Sequence, residues 1–124
     1  MIINGYTIAP NANLEGAELI KIELIHVNLR DANLKDSDLY GSTLTSAQLQ
    51  NADLRNAYLQ NVNFSNANLQ YVDFRNADLR GALLVNANIQ DADFRGADLR
   101  GAVLNGVDIS DAVIDETTRG VPSS

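Results

Sequence analysis

The chain repeats itself every five residues over most of its length, and this period restricts the fold more than any other feature. A large apolar residue, which we call the centre, stands at every fifth position from Leu14 to Ile114 and makes 21 repeats. The residue two positions before each centre is Ala, Val, Ile or Ser, from Ala12 to Ala112. A fixed short period predicts stacked units that bury their apolar faces against one another.

A period of five excludes the two common secondary structures as the repeating element. A helix advances about 100° per residue, so successive centres would lie about 140° apart and many would face water. A flat strand alternates its side chains at every residue, so every second centre would point outward. All centres stay inside only if each repeat is a short extended segment that ends in a turn. Turns of about a right angle close after four repeats, which predicts coils of about 20 residues.

The fifth position of the repeat carries the residues that such turns need. Sixteen repeats end in Gly, Asn or Asp, among them Gly41, Asn56 and Asp91. Glycine has no Cβ, and Asn and Asp bond to their own backbone, so all three tolerate unusual backbone angles. The apolar pattern and the turn residues therefore predict the same four-sided, all-β solenoid.

Repeats such as ADLRN from Ala52 and ADFRG from Ala92 resemble those of the pentapeptide repeat family, which are commonly written A(D/N)LXX. The resemblance covers Ala12 to Glu116 and implies a right-handed quadrilateral β-helix with four repeats per coil. The early repeats depart from the pattern in the small position and at two turns. These departures are Ile22, Val27, Ser37 and Ser42, with Lys21 and His26 at the turns.

We therefore expect a single domain in three parts. Residues 1–11 carry an apolar segment that ends at Pro10, and they are predicted to cap the first coil because an open solenoid end exposes core and strand edges. Residues 12–116 form the β-helix of about five coils. Residues 117–124 form a C-terminal cap and tail, in which the beginning covers the last coil and 121–124 are frayed.

The centres are predicted to form a stacked core. Phe74 and Phe94 lie 20 residues apart and should stack on one side of the coil. The core positions on which the prediction depends most are Leu34, Leu54, Phe64, Phe74, Leu79, Phe94 and Leu99.

Stacking at intervals of 20 residues also sorts the exterior into four faces, numbered here from the centres at positions 14, 19, 24 and 29. The first and second faces carry columns of Asp and Arg, and the fourth carries Asn and Gln. The third face carries apolar residues outward. The candidate partner-binding residues are Leu83, Val85 and Val103 on the third face and Arg75, Arg80, Arg95 and Arg100 on the first two.

Each of these groups allows two interpretations. The Asp and Arg columns are either solvated ladders that neutralise each other or an arginine patch that binds an acidic partner. The outward apolar residues are either ordinary surface residues or a contact patch. The sequence alone does not decide between them.

No catalytic, metal-binding or cofactor-binding residues are predicted. His26 is the only histidine and there is no cysteine, so a Ser/His/Asp triad or a zinc site would depend on one corner residue. Asp78 and Asp98 could pair for acid chemistry, but Arg80 and Arg100 flank them and a filled solenoid offers no cleft. We expect a protein that is not an enzyme and needs no cofactor.

The net charge of −7 disfavours direct binding to nucleic acid, and no apolar run is long enough to cross a membrane. A cytoplasmic protein with an unknown protein partner is expected, as a monomer or a weak homodimer through the third face. The predicted function is a non-catalytic, rod-like structural or interaction module. The alternative is a DNA mimic that binds a DNA-binding enzyme such as DNA gyrase, as relatives that the chain resembles do. Residues 50–105 disfavour this alternative because their six acidic side chains are offset by five basic ones.

Overall fold

From Asn13 to Leu83, the residue before each centre pairs in parallel with the residue 20 positions later, which fixes the coil length that the repeat predicts. One such series runs through the first face from Asn13 by way of Asp53 to Val113, and the other three faces carry their own series. Each coil contributes a single bridge per face, because the chain turns again after two or three extended residues. The computed structural model describes residues 1–122 and is a right-handed quadrilateral β-helix, which contains no α-helix within those residues.

The turn at the fifth residue has left-handed backbone geometry in every repeat from Gly16 to Gly106. Asn51, for example, has φ of 64° and donates its N–H to the carbonyl of Gln70 in the next coil at 3.0 Å. Four residues other than Gly, Asn and Asp are held in the same region within the repeats, namely Lys21, His26, Ser46 and Tyr71. This conformation costs an L-residue about 1–2 kcal/mol, so the inter-coil hydrogen bonds impose the turn where the side chain does not favour it.

The centres form one continuous core. Every centre from Leu14 to Leu99 is buried. Phe74 lies parallel to Phe94 with ring centroids 4.8 Å apart, and it meets the ring of Phe64 edge-on at 6.1 Å. All seven core positions singled out in the sequence lie inside, and most of the small residues two positions before the centres fill the remaining space.

Two buried serines replace alanine in the second coil, and they differ in their hydrogen bonds. The Ser42 hydroxyl donates to the carbonyl of Leu19 at 2.6 Å and accepts from the N–H of Ile22 at 2.9 Å. At the preceding corner the equivalent backbone groups bond directly, from Ala17 N–H to Leu14 carbonyl at 3.0 Å. The Ser42 hydroxyl therefore bridges a turn that is open in the first coil, whereas the Ser37 hydroxyl has no partner within residues 1–122.

The N-terminal segment forms a small antiparallel hairpin under the first coil. Strand β1 (Ile2–Ile3) pairs with β2 (Tyr6–Thr7), and Ile8, which follows, is buried. Ile3 and Tyr6 pack against the core, and Leu14 in the first coil is consequently only 2% exposed.

The last coil departs from the pattern. A 3₁₀ helix (Ile109–Asp111) replaces the strand of the fourth face, and Asp98 pairs with Arg119, one residue later than the period requires. Leu104 and Ile109 are partly exposed, unlike the centres before them. Of the segment predicted to fray, Val121 is half-buried and Pro122 is exposed, while residues 123 and 124 lie outside the described part of the chain.

Candidate functional site

The four candidate arginines each form a fork with the aspartate two residues earlier. Arg75 donates from Nε to Oδ1 of Asp73 at 2.9 Å and from Nη2 to Oδ2 at 2.7 Å. The N–H of Arg75 also donates to Oδ1 of Asp73 at 3.1 Å, so the pair is fixed by side chain and backbone together. The same arrangement recurs at Arg80, Arg95 and Arg100.

These forks give the arginine patch the character of neutral pairs. Hydrogen bonds from the Arg100 guanidinium lower the pKa of Asp98 to about 2, although burial opposes the shift, and the Arg100 N–H adds to it. The pKa of Asp93 is lowered in the same way by Arg95. Arg75 also approaches the aspartate of the next coil, since its Nε lies 3.9 Å from Oδ2 of Asp93. An acidic ligand would therefore compete with aspartates that already occupy one edge of each guanidinium.

The third face brings its candidate residues together in the last two complete coils. Leu83 and Val103 are bridged across adjacent coils, and Val85 lies beside them in the column that continues to Asn105. All three are half-buried. Ile25 on the same face is exposed but lies several coils away, beyond Thr43 and other polar residues, so the apolar patch is confined to one end.

The fourth face is an amide surface on which asparagine oxygens accept from backbone N–H groups two residues later. The N–H groups of Gln70 and Gln90 donate to the side-chain oxygens of Asn68 and Asn88 at 3.2 and 3.1 Å. Repeated local bonds of this kind stabilise the edge of each turn.

A shallow groove of about 300 Å³ lies at the corner between the first and second faces. Arg75, Arg95, Asp115 and Thr117 line it. The N–H and hydroxyl of Thr117 both donate to Asp115, and the Arg95 guanidinium donates to Asp93. These polar groups of the groove therefore already have partners. The one hydroxyl among its lining residues, that of Thr117, donates to the exposed Asp115 carboxylate.

Residues 1–122 contain no cluster of three or more His, Cys, Asp or Glu side chains that could hold a metal ion. His26 is exposed at a corner of the first coil. None of the helical structure within the described chain has the length and apolar character of a membrane span.

Sequence reasoning missed an aromatic surface at the N-terminal end of the second face. Tyr6, Ile20, Tyr40 and Tyr58 follow one another from the hairpin through three coils, and we call them the tyrosine strip. The N–H of Glu18 donates to the Tyr6 hydroxyl at 3.3 Å, and Asp38 pairs directly with Tyr58 across the coils. The sequence contains a signal for this surface, because the columns of Tyr58 and Tyr40 carry Asp, Gln or Arg in the higher coils.

The sequence profile of the family described as pentapeptide repeats matches eight copies in this chain, over residues 11–45, 47–84 and 82–118. No curated protein sequence matches the chain.

Several solved structures are similar to this one. The pentapeptide repeat protein Rfr23 from the cyanobacterium Cyanothece 51142 is 28% identical, with 82% of this chain and 86% of Rfr23 covered and a TM-score of 0.73. HetL from Nostoc, a protein involved in regulating heterocyst differentiation, is 30% identical, with 84% of this chain and 60% of HetL covered and a TM-score of 0.42.

The plasmid-mediated fluoroquinolone resistance protein QnrB1 is 17% identical, with 85% of this chain and 73% of QnrB1 covered and a TM-score of 0.49.

The match to the family covers most of the chain, and the coil that the family implies is the coil observed. This chain belongs to the pentapeptide repeat family.

Proposed function

We propose that this protein is a non-catalytic scaffold that binds a protein partner through its flat outer faces. The observation that carries the proposal is the continuous core, in which every centre from Leu14 to Leu99 is buried. A filled rod has no interior site for a substrate, so recognition falls to the exterior. Flat, rigid faces lose little entropy on binding, which suits recognition of another folded surface or of an extended segment.

Affinity capture from a lysate of the native host tests this proposal. We expect wild-type protein to retain at least one partner that a variant with a charged face loses. Leu83→Glu combined with Val103→Glu changes the third face without touching a centre, and a thermal unfolding midpoint controls for folding. The absence of any partner that depends on a surface residue would contradict the proposal.

The same double variant tests self-association. We propose a monomer at micromolar concentration, because the apolar patch of Leu83, Val85 and Val103 is small for a stable interface. Any weak dimer should use this patch in a two-fold contact. Sedimentation should show one monomeric species for the wild type, and a tight dimer that the double variant leaves intact would show that another surface is used.

The alternative, a DNA mimic that inhibits DNA gyrase, requires a continuous negative surface. Asp73, Asp78, Asp93 and Asp98 are each paired with an arginine, and this weakens the alternative. We therefore expect no inhibition of gyrase supercoiling at micromolar protein. Strong stoichiometric inhibition would favour DNA mimicry over the scaffold proposed here.

A further inference from the structure

Two of the three exposed tyrosines lie on one part of the rod, beside the exposed Ile20 and the half-buried Tyr6. Ile20, Tyr40 and Tyr58 are 45%, 40% and 53% exposed, and Tyr6 stands at the foot of the same face. Adjacent coils lie about 4.8 Å apart, so Tyr40 lies directly above Ile20, and Tyr58 is one coil higher and two residues along the strand. Three of the chain's four tyrosines thus share one face.

The backbone of the strip is held in place by hydrogen bonds between the coils and to Asp38. Leu39 N–H donates to the carbonyl of Tyr58 at 2.9 Å, and Lys21 N–H donates to the carbonyl of Tyr40 at 2.8 Å. The Asp38 carboxylate accepts from the N–H of Tyr40 at 3.0 Å. Tyrosines on such a fixed backbone provide large contact area at low entropic cost, and tyrosine is enriched among the residues that dominate binding energy.

The charges around the strip favour a cationic partner. The carboxylates of Glu18 and Asp38 lie in the column beside Ile20 and Tyr40, and neither forms a salt bridge with another described residue. Within the second-face repeats of these two coils and their corners, residues 16–21 and 36–41, Lys21 is the only basic side chain. The upper half of the same face differs, because Arg80 and Arg100 already neutralise Asp78 and Asp98.

We propose that the tyrosine strip binds an arginine-bearing segment of another protein. A guanidinium stacks on a tyrosine ring and donates two hydrogen bonds to a carboxylate, so it matches both features of the strip at once. Phosphate-bearing ligands are repelled by Glu18 and Asp38. A second copy of this chain is a poor occupant, because five of its arginines are forked to their own aspartates. This inference rests on the proposed scaffold function and specifies its partner.

The first test is titration of 15N-labelled protein with a peptide of repeated arginine and glycine at low salt, followed by NMR. We expect saturable shifts confined to the amides around Ile20, Tyr40 and Tyr58. A lysine–glycine peptide should bind more weakly, and a glutamate–glycine peptide should not bind. Shifts centred on another face, equal binding of the glutamate peptide, or no saturable binding would overturn the proposal. So would shifts in the strip that appear with protein concentration alone, since they would indicate a second copy.

Matched variants separate the two features of the strip. Tyr40→Gln with Tyr58→Asn introduces polar side chains that the solenoid carries elsewhere, and it should weaken arginine-peptide binding at least about tenfold. Asp38→Asn keeps an acceptor for the N–H of Tyr40 but removes the charge, so it should weaken binding and reduce its salt dependence. Tyr71→Asn removes an exposed tyrosine from a corner outside the strip and should leave binding unchanged. Equal binding by the wild type and the strip double variant would refute the proposal.

Failure of this inference is distinguishable from failure of the scaffold function. If the strip double variant retains from lysate every partner that the wild type retains, the strip is not the binding surface although the protein is a scaffold. If neither protein retains a partner, the scaffold function itself fails.

Discussion

The two buried serines of the second coil provide a matched test of how the turns are held together. Ser42→Ala removes a hydroxyl with two hydrogen bonds and leaves the N–H of Ile22 and the carbonyl of Leu19 without their present partners. Ser37→Ala removes an equally buried hydroxyl that has no partner within residues 1–122. The two substitutions have the same size, the same burial and neighbouring positions, and they differ only in hydrogen bonding.

The expected magnitudes follow from that difference. A buried backbone group left unpaired costs about 1–3 kcal/mol. The open turn can recover part of this loss if Ile22 N–H moves to bond Leu19 directly, as the equivalent groups of other corners do. We therefore expect Ser42→Ala to lower the free energy of unfolding by about 1–3 kcal/mol. Ser37→Ala should be neutral or stabilising by up to about 1 kcal/mol, because it removes an uncompensated polar group from the core.

Urea denaturation at neutral pH measures both values, provided that the slope of the transition is unchanged. The difference between the two variants is more reliable than either value alone. A loss for Ser37→Ala that equals or exceeds the loss for Ser42→Ala would refute the idea that the Ser42 hydroxyl bridges an open turn.

Three further predictions concern the core, a turn and an ion pair. Phe74→Ala should cost about 3–5 kcal/mol in denaturant unfolding, since the ring is fully buried between neighbouring layers, and a loss under about 1 kcal/mol would contradict its place in the core. Tyr71→Asn should stabilise the folded protein by up to about 1 kcal/mol, because Tyr71 has φ of 60°, which Asn tolerates better than Tyr. Asn51→Tyr in the same column should destabilise it. Thermal unfolding that gives the opposite sign for both variants would exclude strain in the turn. Asp98→Asn should be slightly less stable than the wild type above about pH 4, and the gap should close as the pH falls toward about 2, because the folded pKa of Asp98 lies below its unfolded value. A stability difference that persists at about pH 2 would mean that Asp98 does not pair with Arg100 through its charge.

The coil and its core were predictable from the sequence because one short period governs both. The spacing of the centres sets which residues point inward, and the closure of four turns sets the 20-residue register that brings Phe74 onto Phe94. No knowledge of side-chain conformation is needed for either step.

The features that escaped prediction depend on local choices that the period does not encode. The sequence predicts the Asp and Arg columns but not the partner of each arginine. Arg75 pairs mainly with Asp73 in its own strand, because the bent backbone lets one aspartate accept from both N–H and guanidinium. The extra residue before Arg119 lies in the turn from Asp115 to Thr118, because Asp93 still pairs with Val113 at the regular interval of 20. The tyrosine strip was overlooked because Tyr6 lies outside the repeats and Tyr40 and Tyr58 fall in different columns of the second face.

The identical register of successive coils has a consequence for combining substitutions. Residues that face outward in the same column of alternate coils lie about 9.6 Å apart, which is near the distance beyond which mutational effects become additive. Neighbouring coils remain coupled through contacts such as Arg75 with Asp93. Substitutions at outward positions two coils apart in one column should therefore have nearly additive effects on the free energy of unfolding. One such position can be changed without altering the contribution of the other.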